Sequence, residues 1–427
     1  MTNAPEGLPA RAAALDLLHA ALSRRAGLDD ALMRPPFSSL PPRERGHARA
    51  LVMAALRRLG PIDRLLDGKL QKPPPEAVRN LLRLGAAELF WMQAPDFAVV
   101  STTVDLAASR KDTLPFKGLV NAVLRALARD GAPKVEPQAL CPDWLYARWA
   151  AAWGKEGAAG IAALIAEEPS TDLSFKAPPS PELAAALEAH ELAGGSWRTG
   201  KGGLVTEWAG FEDGSWWVQD AAAAIPARLL AVKSGETAID LCAAPGGKTL
   251  QLAAAGASVV AVDRSAPRLK RVSENLARTR LSAETVVADA AEWPDRREFD
   301  AVLLDAPCTA TGTFRRHPDV LWASRPGDVA PLARSQSKLL DAAAGRVKPS
   351  GRLVYCVCSL EPEEGEQQVE GFLRRHPDFR LAPIAPGEGG APAQSITANG
   401  CLRLLPFHIE GGGDGFFAAR FVRSSAA

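Results

Sequence analysis

Asp305-Ala-Pro-Cys308 and Tyr355-Cys-Val-Cys358 are the segments of this chain whose residue types and spacing suit covalent chemistry. The first follows the short apolar run Ala301-Val-Leu-Leu304 and the second closes the run Arg352-Leu-Val-Tyr-Cys356, each of which reads as a strand. Both thiols are therefore expected to reach one crevice, with the Asp305 carboxylate beside them. Two thiols and a carboxylate suit chemistry at an aromatic carbon that is not nucleophilic by itself, such as cytosine C5. A thiolate adding to C6 pushes electron density onto C5, which then attacks a sulfonium methyl; a base removes the C5 proton and the thiol leaves. Asp305 would hydrogen-bond the protonated N3, and Lys248 is the candidate for a positive field that partly ionises the thiol. Spacing leaves open whether Cys308 or Cys358 attacks. Cysteines near strand ends are more often small buried hydrophobes, and Cys356, inside its strand run, is assigned to that class.

The elements that must position these groups begin beyond Trp216. There, short apolar runs end in Asp: Thr237 to Asp240, Val259 to Asp263, Val286 to Asp289 and Ala301 to Asp305. Helical stretches such as Thr249 to Ala255 and Pro267 to Arg278 lie between them, so a doubly wound parallel sheet is expected. Arg352 to Cys356 and Gly415 to Val422 read as further strands. Ligands of such sheets sit at the carboxyl ends of the strands. The loop after the first run is Cys242-Ala243-Ala244-Pro245-Gly246-Gly247-Lys248. Its glycines let the backbone turn and approach a ligand, and the helix that follows offers its N-terminus. Asp263 is placed for the ribose hydroxyls of an adenosine ligand, Asp289 for its adenine edge and Asp305 for its reactive end. Any one of these carboxylates alone reads more simply as a helix cap. The same loop nearly spells a triphosphate-binding motif, but that motif's first glycine falls at Cys242, and Pro245 removes a backbone donor. A neutral or cationic cofactor suits the loop better.

From Arg11 to about Arg129 the apolar residues recur at helical spacing, as in Ala14, Leu17, Leu18 and Ala21. Prolines at Arg34-Pro-Pro, Leu40-Pro-Pro and Lys72-Pro-Pro-Pro divide this stretch into several short helices. Residues 133–215 alternate proline, glycine and helical stretches such as Pro181 to Ala193, and suggest a small connecting α+β domain between a helical domain at 1–132 and a Rossmann-like domain at 216–427. The 427 residues carry a net charge of only +1, yet residues 1–140 hold 20 Lys and Arg against 14 Asp and Glu. That asymmetry permits a basic RNA-facing surface, although such a charge run is more often a solvated face. Pro5, Glu6 and Pro9 interrupt what a secretory signal would need, and no apolar stretch is long enough to span a membrane, so a cytoplasmic protein is expected. The six cysteines form no CxxC pair, and neither a disulfide framework nor a metal site is expected.

Taken in order, Asp240-Leu-Cys-Ala-Ala-Pro-Gly-Gly-Lys-Thr249, Asp305-Ala-Pro-Cys-Thr-Ala-Thr-Gly312, Arg315-Arg-His-Pro-Asp319, Cys358-Ser-Leu-Glu-Pro-Glu-Glu364 and Asp414-Gly-Phe-Phe417 make the chain resemble the bacterial ribosomal RNA cytosine-C5 methyltransferases of the RsmB type, the Sun group. Phe116 to Arg125, with the helices before it, resembles that family's NusB-like RNA-binding domain. The resemblance implies an all-α NusB-like domain followed by an α/β class I methyltransferase domain, S-adenosylmethionine as cofactor and ribosomal RNA as partner. No obligate protein partner is implied. It further implies that Cys358 attacks, that Cys308 assists product release, that residues 242–248 with Asp263, Asp289 and Asp305 hold the cofactor, and that Arg315, Arg316 and His317 lie near RNA. Two departures stand out: Gly365, where the family usually has Asn, and Cys356-Val357, where it more often has a small residue and threonine. Two other classes remain: a protein of this fold that binds RNA without catalysis, which would have no use for two thiols at the crevice, and the triphosphate hydrolase already disfavoured by Cys242 and Pro245.

Overall fold

The computed structural model describes residues 7–23 and 27–425; Pro5 and Glu6, part of the argument against a leader, lie outside them. The chain divides into two compact units, Met1–Glu168 with Arg316–Arg325, and Pro169–Arg315 with Pro326–Ala427. The first is helical: α1 (Leu8–Ser23), α2 (Gly27–Leu32), α3 (Pro42–Arg57), α4 (Leu59–Asp67), α5 (Glu76–Trp91), α6 (Asp96–Ser109), α7 (Lys117–Asp130) and α8 (Asp143–Ala163). The prolines act as expected, with Pro42 opening α3 and Pro75 capping α5. The helical spacing becomes a core in which Leu17, Leu18, Leu51, Val52, Leu81, Leu82, Val120 and Leu124 are almost wholly shielded from water. Gly85 marks a close approach, because a Cβ there would sit 2.8 Å from the Leu124 side chain. Among the described residues, no helix is long and apolar enough to cross a membrane.

In the second unit, β1 (Thr171–Phe175), α9 (Pro181–Ala186), β2 (Ala189–Glu191), β3 (Ser196–Thr199) and β4 (Trp216–Val218) come first. Their strands form an antiparallel sheet in the order β2-β3-β1-β4. The helical stretch expected from Pro181 to Ala193 stops at Ala186: Glu188 turns the chain at φ +51°, and Ala189 to Glu191 pair with β3 instead. Cross-strand hydrogen bonds formed across the intervening turn outweigh the local helical preference of an alanine-rich stretch.

The large sheet follows, from α10 (Ala221–Leu229), β5 (Thr237–Leu241), α11 (Gly247–Ala254), β6 (Ser258–Asp263), α12 (Ala266–Thr279), β7 (Glu284–Val287) and β8 (Phe299–Asp305). After α13 (Asp319–Ala323), which belongs to the helical unit, come α14 (Val329–Ala344), β9 (Val347–Val357), α15 (Glu366–Arg375), β10 (Phe379–Leu381), β11 (Leu402–Leu404) and β12 (Phe416–Arg423). Strand order is β10-β12-β9-β8-β5-β6-β7, parallel from β9 to β7, with β12 antiparallel to both β9 and β10. Alternate residues face opposite sides. Ile239, Leu241, Val302, Leu304, Leu353 and Tyr355 pack with Leu340 and Ala343 of α14, while Ala238, Leu303, Val354 and Cys356 pack with Ala222, Ile225 and Leu229 of α10. Burial on both faces explains why the strands read as unbroken apolar runs.

Candidate active site

β8 and β9 run in parallel with Asp305 opposite Cys356, so residues 306–308 and 357–358 leave the same edge of the sheet side by side. The Ala306 N–H donates to the Cys356 carbonyl at 3.0 Å and the Gly312 N–H to the Cys358 carbonyl at 3.0 Å, which joins the two outgoing segments. The outcome is that Cys308 Sγ and Cys358 Sγ lie 3.5 Å apart, both half-buried. Contact with Cys358 first, then burial, then the charges of Cys358 and Glu364 push the Cys308 thiol well above its usual range. Cys356 is fully buried, as expected, but its Sγ reaches to 3.5 Å from Asp305 Oδ1.

Lys248, in the first turn of α11, donates from Nζ to Asp305 Oδ2 at 2.7 Å and lies 5.1 Å from the centre of the Phe416 ring. Burial opposes its charge, yet Asp305, Cys356 and Asp240 together outweigh burial and hold the ammonium above its ordinary range. Its positive field is therefore spent on the Asp305 carboxylate, which the Cys356 thiol also contacts.

The glycine loop is fixed from outside. Asp263, 3% exposed at the end of β6, accepts the Ala244 N–H at 3.1 Å on one oxygen and the Ser265 N–H at 2.9 Å on the other. The Ala243 N–H donates to the Val262 carbonyl, and Cys242 takes a left-handed conformation at φ +63°. Gly246, at φ +105°, caps α11 with no side chain, which leaves the first-turn N–H groups of that helix to a ligand. Asp289 lies two residues past the end of β7, exposed, with one oxygen accepting the Ala291 N–H at 2.9 Å. Burial, and after it the charges of Asp305, Asp263, Asp240 and Asp289, raise the Cys242 thiol. Four strand-end carboxylates thus converge electrostatically on one loop. Backbone donors at a side-chain-free helix end, carboxylates for hydroxyl groups and a net negative field fit a nucleoside bearing a positive charge, and do not fit a triphosphate.

Arg315 departs from its expected place near RNA. It is 2% exposed, donates from Nη2 to the Gly411 carbonyl at 2.9 Å, and faces the Asp220 and Asp414 carboxylates, so its guanidinium is part of the interior of the second unit. Arg316 and His317 are half-buried in the helical unit, where His317 Nδ1 lies 3.8 Å from an Asp29 oxygen. Gly365 is explained by its surroundings: a Cβ there would strike the Arg403 guanidinium and come within 2.9 Å of the Phe417 ring. The sequence reading missed Glu364 as a functional group. Its fully buried carboxylate gathers donors from both cysteine segments, and the run Cys358 to Glu364 was visible as a motif without showing which of its acids faces inward.

A parallel sheet with a glycine loop after its first strand, carboxylates at the strand ends and an antiparallel final strand defines a class I methyltransferase. Comparison with known proteins makes this specific. Residues 227–422 match the family model described as 16S rRNA methyltransferase RsmB/F, and residues 8–129 match the NusB family. The curated "Ribosomal RNA small subunit methyltransferase B" of Cronobacter sakazakii is 36% identical over 395 residues, covering 87% of this chain and 89% of that protein. Among solved structures, PH0851 superposes with a TM-score of 0.81 at 24% identity over 99% of both chains. NSun6 from Pyrococcus horikoshii, solved with SFG, has a TM-score of 0.57 at 21% identity over 67% of this chain and 99% of its own. The chain belongs to the RsmB/F family of ribosomal RNA methyltransferases, with S-adenosylmethionine as methyl donor.

Proposed function

We propose that the protein methylates C5 of a cytosine in small-subunit ribosomal RNA through a transient bond between Cys358 and C6 of the base. The observation that carries this reading is the pair of thiols 3.5 Å apart just past the ends of adjacent parallel strands, with Asp305, three residues before Cys308, paired to Lys248 of the cofactor loop. The Cys358 thiolate adds to C6, and the displaced electron pair moves toward C5. Asp305, oriented by Lys248, holds the proton at N3 of the base and so stabilises the adduct. S-adenosylmethionine supplies, when bound, an electrophilic methyl on a sulfonium; residues 242–248 with Asp263, Asp289 and Asp305 would hold it. Turnover then requires that a base take the C5 proton and that the C6–S bond break, returning its electrons to Cys358.

Cys308 assists that release. Its position against Cys358 and beside a buried carboxylate favours the protonated thiol, which suits a proton-bearing partner and not a nucleophile. We also assign RNA contacts to Arg316, His317 and the NusB-like helices; to reach a paired cytosine the enzyme would have to extrude it. The test is a pair of variants: Cys358→Ala should abolish methylation, and Cys308→Ala should accumulate a protein–RNA adduct that survives a denaturing gel. Exchanged phenotypes would overturn the assignment.

A further inference from the structure

We infer that Glu364 is a positioning residue that sets the separation of the two thiols by holding the residue after each cysteine on a single buried carboxylate. Thr309, next to Cys308, donates to Glu364 from its N–H at 3.0 Å and from its hydroxyl at 2.5 Å. Ser359, next to Cys358, donates its hydroxyl at 2.5 Å. Gln336, on α14, donates one amide hydrogen to the same carboxylate at 2.9 Å, and its Nε2 also reaches the Pro307 carbonyl at 2.9 Å, one residue before Cys308. The clamp is itself anchored, because the Tyr355 hydroxyl donates to the Glu364 carbonyl at 2.5 Å. Thr309, Ser359, Gln336 and Glu364 are each at most 1% exposed, so water does not substitute for these bonds.

Four donors from three elements converge on one group. A carboxylate accepts from all four; an amide would turn its N–H₂ toward the Thr309 and Ser359 hydroxyls, which would then have to give up their donor role and accept instead. The peptide units joining Cys308 to Thr309 and Cys358 to Ser359 are planar, so a shift of either anchor moves the neighbouring cysteine with it. The same carboxylate places a negative charge beside Cys308. This inference rests on the two-thiol reaction proposed above.

The test uses the full-length protein and the variants Glu364→Gln and Ser359→Ala, with two readouts. In methyl transfer to small-subunit ribosomal RNA, Glu364→Gln should lower kcat by roughly 10- to 100-fold with KM for RNA within about two-fold, because reacting atoms are displaced while binding surfaces are kept. Ser359→Ala removes a single donor and should show a smaller loss of the same kind. In the second readout, iodoacetamide alkylation of Cys308 is followed by mass spectrometry across pH. The titratable groups facing that thiol include Cys358, Glu364 and Tyr355. Removing the Glu364 charge should move the alkylation profile to lower pH. A folded Glu364→Gln protein with unchanged kcat and an unchanged profile overturns the inference. So does a loss of kcat that only tracks loss of folded protein while Ser359→Ala and the profile stay as in wild type. Alkylation needs neither RNA nor methyl donor, so it reports on the clamp even if the wild type yields no 5-methylcytidine, and the two failures are separable.

Discussion

Replacing Lys248 with Met should expose how far the reactive centre depends on one ion pair. Nζ and Asp305 Oδ2 are 2.7 Å apart, with the side chains 9% and 30% exposed. At an effective dielectric of about 20 such charges attract by about 6 kcal/mol. Desolvation of the ammonium offsets several of those, and the partial exposure of Asp305 screens more, which leaves a net coupling of about 1–3 kcal/mol. The assay is a double-mutant cycle over wild type, Lys248→Met, Asp305→Asn and the double variant, read by native-state hydrogen exchange in peptides spanning β5 and β8. That readout isolates this unit from the helical one. Lys248→Met should lower the opening free energy by about 2–3 kcal/mol, and Asp305→Asn should recover part of that loss in the double variant, because no partly buried carboxylate is then left without its partner. Methyl transfer should fall roughly 100-fold in either single variant, since Asp305 is then unanchored or cannot hold the N3 proton. Additivity within about 0.3–0.5 kcal/mol would refute the reasoning, because it would mean the pair carries no coupling.

Asp240, buried at the end of β5 and accepting the Thr249 hydroxyl at 2.6 Å, has its carboxyl pushed up to about 7, chiefly by burial. The folded state then keeps a proton that the unfolded chain releases near pH 4, so stability is full below about pH 4 and declines as pH rises to about 7, by up to roughly 4 kcal/mol. Hydrogen exchange at pH 5 and 8 should show that decline, and Asp240→Asn should flatten it; an unchanged slope in the variant contradicts the assignment. Arg315→Met should destabilise the second unit without changing RNA affinity per folded molecule. By contrast Arg316→Ala should weaken RNA binding and reduce its log–log salt slope by about 1; both are read by filter binding across salt. Gly365→Asn should lower stability by about 1–3 kcal/mol in a denaturant titration, because its side chain displaces Arg403 from the Glu366 carboxylate; a neutral result would mean that the loop yields.

The parallel sheet was legible because β5, β6 and β8 are buried on both faces and carry an Asp at or next to their ends, so Thr237 to Asp240, Val259 to Asp263 and Ala301 to Asp305 stood out as apolar runs with a charged terminus. The convergence of both cysteines followed from the same pattern, since residues just past neighbouring parallel strands must leave one edge. Less legible were features made by pairing distant segments. The strand at Ala189 to Glu191 exists only because β3 lies beside it, and the insertion of β12 between β9 and β10 leaves no local signal. Arg315 looked like its neighbour Arg316, yet the chain passes from the interior of one unit to the other between them, and no spacing rule marks such a step. Glu361, Glu363 and Glu364 are alike as letters, and which of them meets Thr309 and Ser359 is decided by the path of the loop.

The most direct test of the central claim is to incubate the purified protein with methyl-labelled S-adenosylmethionine and unmodified small-subunit ribosomal RNA, digest the RNA to nucleosides and identify the labelled product. The account predicts label in 5-methylcytidine, lost in Cys358→Ala. Label in any other nucleoside, or 5-methylcytidine formed undiminished by Cys358→Ala, would contradict it.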